Sequence, residues 1–170
     1  VYPGLDEPAI NNLLMDSILP KNHWAYVRPT TQYPYDPAQG KALLEQLGWG
    51  LTDGSAYRTN TVGEELSLTL TTTDSEVRHA WTAVLEGQMR LCGIRIVREY
   101  VSAAWWFGDN SGLARRDFEI AAFAWYTEKN DSDLRFMDYL YGCDGIPSRS
   151  NNWQGQNYMG WCNEFATEAA

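Results

Sequence analysis

DFEIAAFAWYTEKNDSD, residues 117–133, is the stretch on which the fold turns. From 118 to 125 every residue except Glu119 is apolar, which predicts a buried strand. Apolar on both faces, it reads as a central strand of a sheet. The chain then opens into Tyr126, Thr127, Glu128 and Lys129. Ligands of open α/β sheets bind just beyond the carboxyl ends of strands. Residues 125–128 occupy such an end and can offer backbone groups, an aromatic wall and one carboxylate; on composition alone, Trp125 capping the core and Glu128 as an ordinary solvated loop residue is the stronger reading.

Working outward, Leu66, Leu68 and Leu70 alternate with Ser67, Thr69 and Thr71, which predicts a strand with one buried face. Thr73 with Glu76 reads as a capping box opening a helix. Val77, Ala80, Trp81, Val84, Leu85, Met89, Leu91 and Cys92 form its apolar stripe, and Gly93 ends it. Residues 94–101 read as a second strand, 103–107 as a short helix carrying Trp105 and Trp106. Asp131 or Ser132 could cap a helix through Leu134, Phe136 and Leu140, followed by an irregular tail from 142 to 163. Strand, helix, strand, helix, strand is an α/β layer with parallel pairs joined by right-handed crossovers.

Upstream, YPYDPAQGKALLEQLGWG marks another helix. Asp36 is its N-cap, Pro37 sits where a missing N–H costs nothing, and Gln39 approximates a capping box. Leu43, Leu44 and Leu47 make its stripe and Gly48 its left-handed stop. Residues 1–35 carry five prolines and little periodicity, and read as an irregular arm wrapped over another surface. The expected organisation is therefore one partial domain: an irregular arm over 1–35, an α/β core over 36–125 and a further segment over 126–170. Both ends read as cut, so the sequence is expected to be an excised piece of a longer protein.

The 170 residues suffice for a domain burying roughly 70% of its unfolded surface. A net charge of -9 argues against nucleic acid, which favours a basic face, and mildly against anionic membranes. No run approaches the roughly 18 apolar residues of a membrane span. Eight Trp and ten Tyr exceed the needs of a core this size, so some are expected to line a cleft.

No nucleophile elbow, phosphate-binding glycine loop, H-E-x-x-H or zinc spacing occurs, and no carboxylate pair has a spacing that demands acid–base work. The sequence calls for no cofactor, no metal and no enzyme. His79 reads as a structural histidine, His23 has no role, and Arg115 with Arg116 reads as solvated, an anchor for a ligand carboxylate being the alternative. Cys92 is expected to be a buried thiol. Cys143 and Cys162 lie in a polar segment. A disulfide between them would close a loop of about 20 residues, worth roughly 3 kcal/mol, in an oxidising compartment. A metal pair or two free thiols are the alternatives.

The ordered motifs resemble a family. YPYDPAQGKALLEQLGW is similar to the "tyrosine, Asp-Pro, Ala, Leu-Leu, Gly-Trp" segment of extracytoplasmic solute-binding proteins of ABC importers, in the dipeptide, oligopeptide and nickel cluster (family 5). LSLTLTTT, VRHAWTAVLEGQMRLCGIRIV and DFEIAAFAW follow in the family's order, and IPSRSNNWQGQNYMGWCNEF resembles a subgroup's segment in which the paired cysteines recur. The resemblance runs over nearly the whole chain. It implies one lobe, mostly the C-terminal one, of a two-lobe type II fold, with a mixed sheet and flanking helices, closing on a ligand like a clamshell, and it makes 126–170 a return segment toward the missing lobe. It implies binding of peptides or similar small solutes for import. The expected partners are a membrane ABC permease and the missing N-terminal lobe, and the expected placement is periplasmic or extracellular, free or lipid-anchored. In peptide binders the position three after the Trp is an Asp pairing with the peptide's amino group; here that position is Glu128. Backbone groups at Ala124, Trp125 and Tyr126 would pair with an extended peptide. Such binders often carry Arg three before the Trp, where this chain has Ala122. A carbohydrate-directed binding protein or enzyme using the Trp-rich surface, and an interaction fragment without a small ligand, are the rival readings. Half a clamp is not expected to bind tightly alone.

Overall fold

A computed structural model describes residues 14–124 and 136–163. The chain divides into two compact units, residues 1–35 with 124–133, and residues 36–123 with 134–170.

The described part of the first unit, residues 14–35 and Ala124, holds turns and no helix or strand. Backbone bonds from His23 to Pro20 O (2.9 Å) and from Tyr26 to His23 O (3.1 Å) shape it. Leu19 and His23 are buried, and the Tyr26 hydroxyl donates to Asp16 Oδ1 at 2.8 Å.

The second unit opens with α1, Pro37–Gln46. The Asp36 carboxylate accepts from the N–H groups of Ala38 and Gln39, and Gly48 takes the left-handed conformation that stops the helix. Its stripe is not covered by the described residues: Leu43 and Leu47 are exposed. What ties α1 down is Arg58, 2% exposed. Its guanidinium donates to Cys92 O (2.8 Å), Trp49 O (2.7 Å) and Glu45 Oε1 (3.1 Å). Periodicity offers no signal for such a buried cation.

Strand β1 (Ser67–Thr73), helix α2 (Glu76–Leu91) and strand β2 (Arg95–Val101) follow, then the short helices α3 (Ala103–Trp106) and α4 (Gly112–Arg115), the brief strand β3 (Ile120–Ala122) and α5 (Phe136–Tyr141). The sheet order is β2-β1-β3. Both pairings are parallel, Ser67 opposite Arg95 and Leu70 opposite Ile120. Antiparallel pairing among the described residues is confined to isolated bridges at Gly50, Thr59 and Glu65.

Three expectations are corrected. The strand expected over 118–125 and placed at the centre is three residues long and pairs on one side, with β1. The central strand is β1. Its expected single buried face is also wrong, since Leu70, Thr71 and Thr72 are all buried in succession. The threonine hydroxyls tolerate this because each has a partner, Thr71 with Glu99 Oε2 at 2.8 Å and Thr72 with Ala122 O at 2.7 Å. Finally, α2 is capped by Ser75, whose hydroxyl accepts from Arg78 N–H, not by Thr73, which is still paired with Val101 in the sheet.

The buried face of α2 is rotated from the expected stripe. Val77, Val84 and Leu91 are exposed, whereas Thr82 is fully buried. The Thr82 hydroxyl bonds Arg78 O and the Tyr100 hydroxyl, each at 2.7 Å, so specific polar partners set the register of the helix on β2. Cys92 is half-buried and not fully buried. The apolar core gathers Leu70, Ile96, Leu113, Leu140 and, fully enclosed, Trp106. Gly112 permits this packing, because a Cβ there would overlap the carbonyls of Trp105 and Trp106.

Candidate ligand site

Ala124, the first of the expected ligand residues, is described and exposed. Trp125, Tyr126 and Glu128 lie outside the described residues, as do the expected caps Asp131 and Ser132. What the structure does describe is how the strand leading to them ends. The carbonyl of Ala122 accepts from the Thr72 hydroxyl at 2.7 Å and from Arg78 Nη1 at 3.3 Å. Arg78 Nη1 also donates to Thr72 Oγ1 at 2.9 Å. Thr72 is fully buried and Arg78 half-buried, so the carboxyl end of β3 is closed by a polar clasp from β1 and α2. Arg78 was invisible to the sequence reading because it stands one residue off the apolar stripe.

Phe123, directly after β3, meets the ring of Tyr158 edge-on at 5.8 Å. Tyr158 belongs to a cleft of about 500 Å³. One wall is the turn after α3, with Phe107, Gly108 and Asp109. Tyr139 of α5 stands on another. The rest comes from Ala114 of α4 and from the segment carrying Trp153, Gln154, Gln156 and Tyr158. The expectation that some tryptophans line a cleft is met by Trp153, while Trp106 serves the core.

This irregular segment is firmly built. Cys143 and Cys162 form a disulfide across it. Asn157, fully buried, donates its side-chain N–H groups to Gly142 O (3.0 Å) and Trp161 O (2.8 Å), and its backbone N–H to Gly145 O (2.9 Å). The Gln156 N–H bonds Tyr139 O, fastening the segment to α5. Gly155 lies so close to Gly145 that a Cβ would overlap its carbonyl. Asn152 and Trp153 both adopt left-handed backbone, φ 54° and 63°. That conformation is rare for a bulky residue and is held here by the surrounding bonds.

Arg115 and Arg116, expected to be solvated, are exposed yet engaged. The Arg115 guanidinium lies 3.6 Å over the Trp153 ring and donates to Asn110 Oδ1, while Arg116 donates to Pro147 O. His79 is structural, paired with Asp74 at 2.7 Å and stacked on Tyr100. The Tyr158 hydroxyl titrates above its ordinary range because burial disfavours the phenolate and the charge of Asp109 adds to this. Among the described residues, no group of three His, Cys, Asp or Glu side chains could hold a metal ion.

With the fold and cleft in view, the comparisons with known proteins converge. Residues 5–148 match the family described as bacterial extracellular solute-binding proteins, family 5 Middle. The chain belongs to this solute-binding family. It is 26% identical over 166 residues to Di/tripeptide-binding protein 3 of Pseudomonas aeruginosa (strain UCBPP-PA14), covering 95% of this chain and 26% of that protein. The Dipeptide-binding protein of Pseudomonas aeruginosa strain PAO1 matches equally. Among solved structures, the oligopeptide-binding protein of Thermus thermophilus, complexed with a pentapeptide, superposes with a TM-score of 0.75 at 20% identity. That match covers 95% of this chain and 29% of that one. NikZ from Campylobacter jejuni in complex with Ni(L-His) gives a TM-score of 0.66 at 16% identity, covering 94% and 30%. These likenesses show the fold: an α/β part of a periplasmic binding protein. The chain spans about a quarter of the length of the curated relatives it matches. No helix among the described residues is long and apolar enough to cross a membrane.

Proposed function

We propose that this chain is part of the substrate-binding component of an ABC transporter, which captures peptides outside the cytoplasmic membrane and delivers them to a membrane permease for import. The observation that carries this reading is the family match over 5–148 together with an alignment to dipeptide-binding relatives along 95% of the chain. Backbone groups at Ala124, Trp125 and Tyr126 pair with an extended peptide as an added strand does. The Glu128 carboxylate pairs with the peptide's amino group in a charge-assisted contact. The clasp of Thr72 and Arg78 on Ala122 supports this role, because it fixes the strand end from which these residues emerge.

The test is calorimetric titration of the full-length protein with di- and tripeptides and with their N-acetylated forms. The expected result is peptide binding that acetylation or Glu128→Gln weakens by about 10- to 100-fold, the loss of one charge-assisted pair. Absence of peptide binding, or equal affinity for acetylated peptides, would overturn the reading.

A further inference from the structure

We infer that the cleft between the 107–109 turn and the 153–158 segment binds a cationic group, an ammonium or guanidinium, carried on an apolar stem. Its volume of about 500 Å³ falls within the range of small-molecule sites, roughly 300–1,000 Å³. Four aromatic rings, Phe107, Tyr139, Trp153 and Tyr158, line it, and those of Phe107 and Tyr139 are more than half exposed. Among the described residues, Asp109 is the only charged side chain on its walls. Among the described residues that carboxylate has no ion pair or hydrogen bond, so its charge is uncompensated.

Aromatic faces attract cations through their quadrupoles, and a carboxylate adds a direct partner. The same wall disfavours an anion, because Asp109 is negative and the exposed rings of Phe107 and Tyr139 offer electron-rich faces. The amides of Gln154 and Gln156 accept further N–H donors. Arg115 does not compete for this place. It stacks on Trp153 and bonds Asn110, and so fixes the indole that the left-handed backbone presents.

Two sources offer this chemistry: the basic side chain of a bound peptide, and a free organic amine. The first rests on the peptide reading above, and the second does not. The experiment titrates the full-length protein with Ala-Lys-Ala, with Ala-norleucine-Ala (the same stem without charge) and with n-butylammonium, in wild type, Asp109→Asn and Tyr139→Leu. Both substitutions lie at exposed positions. The lysine peptide is expected to bind about tenfold tighter than the norleucine peptide, a difference of about 1.4 kcal/mol. Either substitution should cut that preference, read as the ratio of lysine to norleucine affinity in the same protein, to about threefold or less. Butylammonium binding that depends on Asp109, without any peptide binding, would support the cation site and sink the peptide reading. Peptides bound with no preference for lysine would do the reverse. A preference that survives Asp109→Asn, or no binding of any probe, would overturn the inference.

Discussion

The guanidinium of Arg115 lies 3.6 Å over the indole of Trp153, joining the residue that ends α4 to a segment far along the chain. The pair fastens an irregular segment to the helical layer at the rim of the cleft. Arg115→Ala is expected to lower stability by about 0.5–1 kcal/mol, the range of an exposed cation–π contact. Arg115→Lys should recover only part, because an ammonium lacks the planar face that stacks. Urea denaturation of the three proteins checks this.

Asn157 holds the same segment from inside. Asn157→Ala removes two hydrogen bonds at a fully buried site and leaves the carbonyls of Gly142 and Trp161 without these donors. The cost should be about 2–3 kcal/mol. Asn157→Leu should be no better, because shape without donors leaves the carbonyls unsatisfied. Chemical denaturation decides whether the loss reaches this size.

The Cys143–Cys162 disulfide closes the segment over a sequence separation of 19. In the chain-entropy view its loss costs about 3 kcal/mol. The double Cys→Ser variant should unfold at lower urea, and amide exchange over 153–158 should quicken. Unchanged exchange there would mean that Asn157 and the Gly145–Gly155 approach suffice to hold the loop.

Tyr158 titrates above its ordinary value of 10.0, first through burial and second through Asp109. Its neutral form is the one the fold favours. The associated stability is therefore complete below pH 10 and is lost as pH rises through the raised value. Asp109→Asn removes only the second cause, so the Tyr158 pKa should fall yet stay above 10. NMR of ¹³C-labelled tyrosine, with Tyr158→Phe to assign the signal, reads this directly.

Much of the fold was legible because it rests on local signals. Asp36, Pro37 and Gly48 mark α1, and Gly93 ends α2, since caps and left-handed stops are decided within a few residues. Sheet position was not legible. An apolar run such as 118–125 suits a centre, but pairing depends on distant partners, and β1 with its two buried threonines took that place. Thr82 and Arg78 were missed for a related reason: a polar residue on a buried face is betrayed only by its partner. The cleft was foreshadowed by the surplus of aromatics and no further. Its members come from separate stretches of the chain, and the left-handed backbone at Trp153 has no glycine to announce it. Of the expected ligand residues, Ala124 is exposed, and Trp125, Tyr126 and Glu128 remain part of the proposal.

The central claim is that the protein carries peptides. Native mass spectrometry of the full-length protein, purified from its own host without added ligand, tests it most directly. The expected result is a ladder of co-purified short peptides, released when Glu128→Gln weakens their amino-terminal anchor and enriched in lysine and arginine if the Asp109 cleft takes a basic side chain. A protein that instead carries only an oligosaccharide or a metal complex would contradict it.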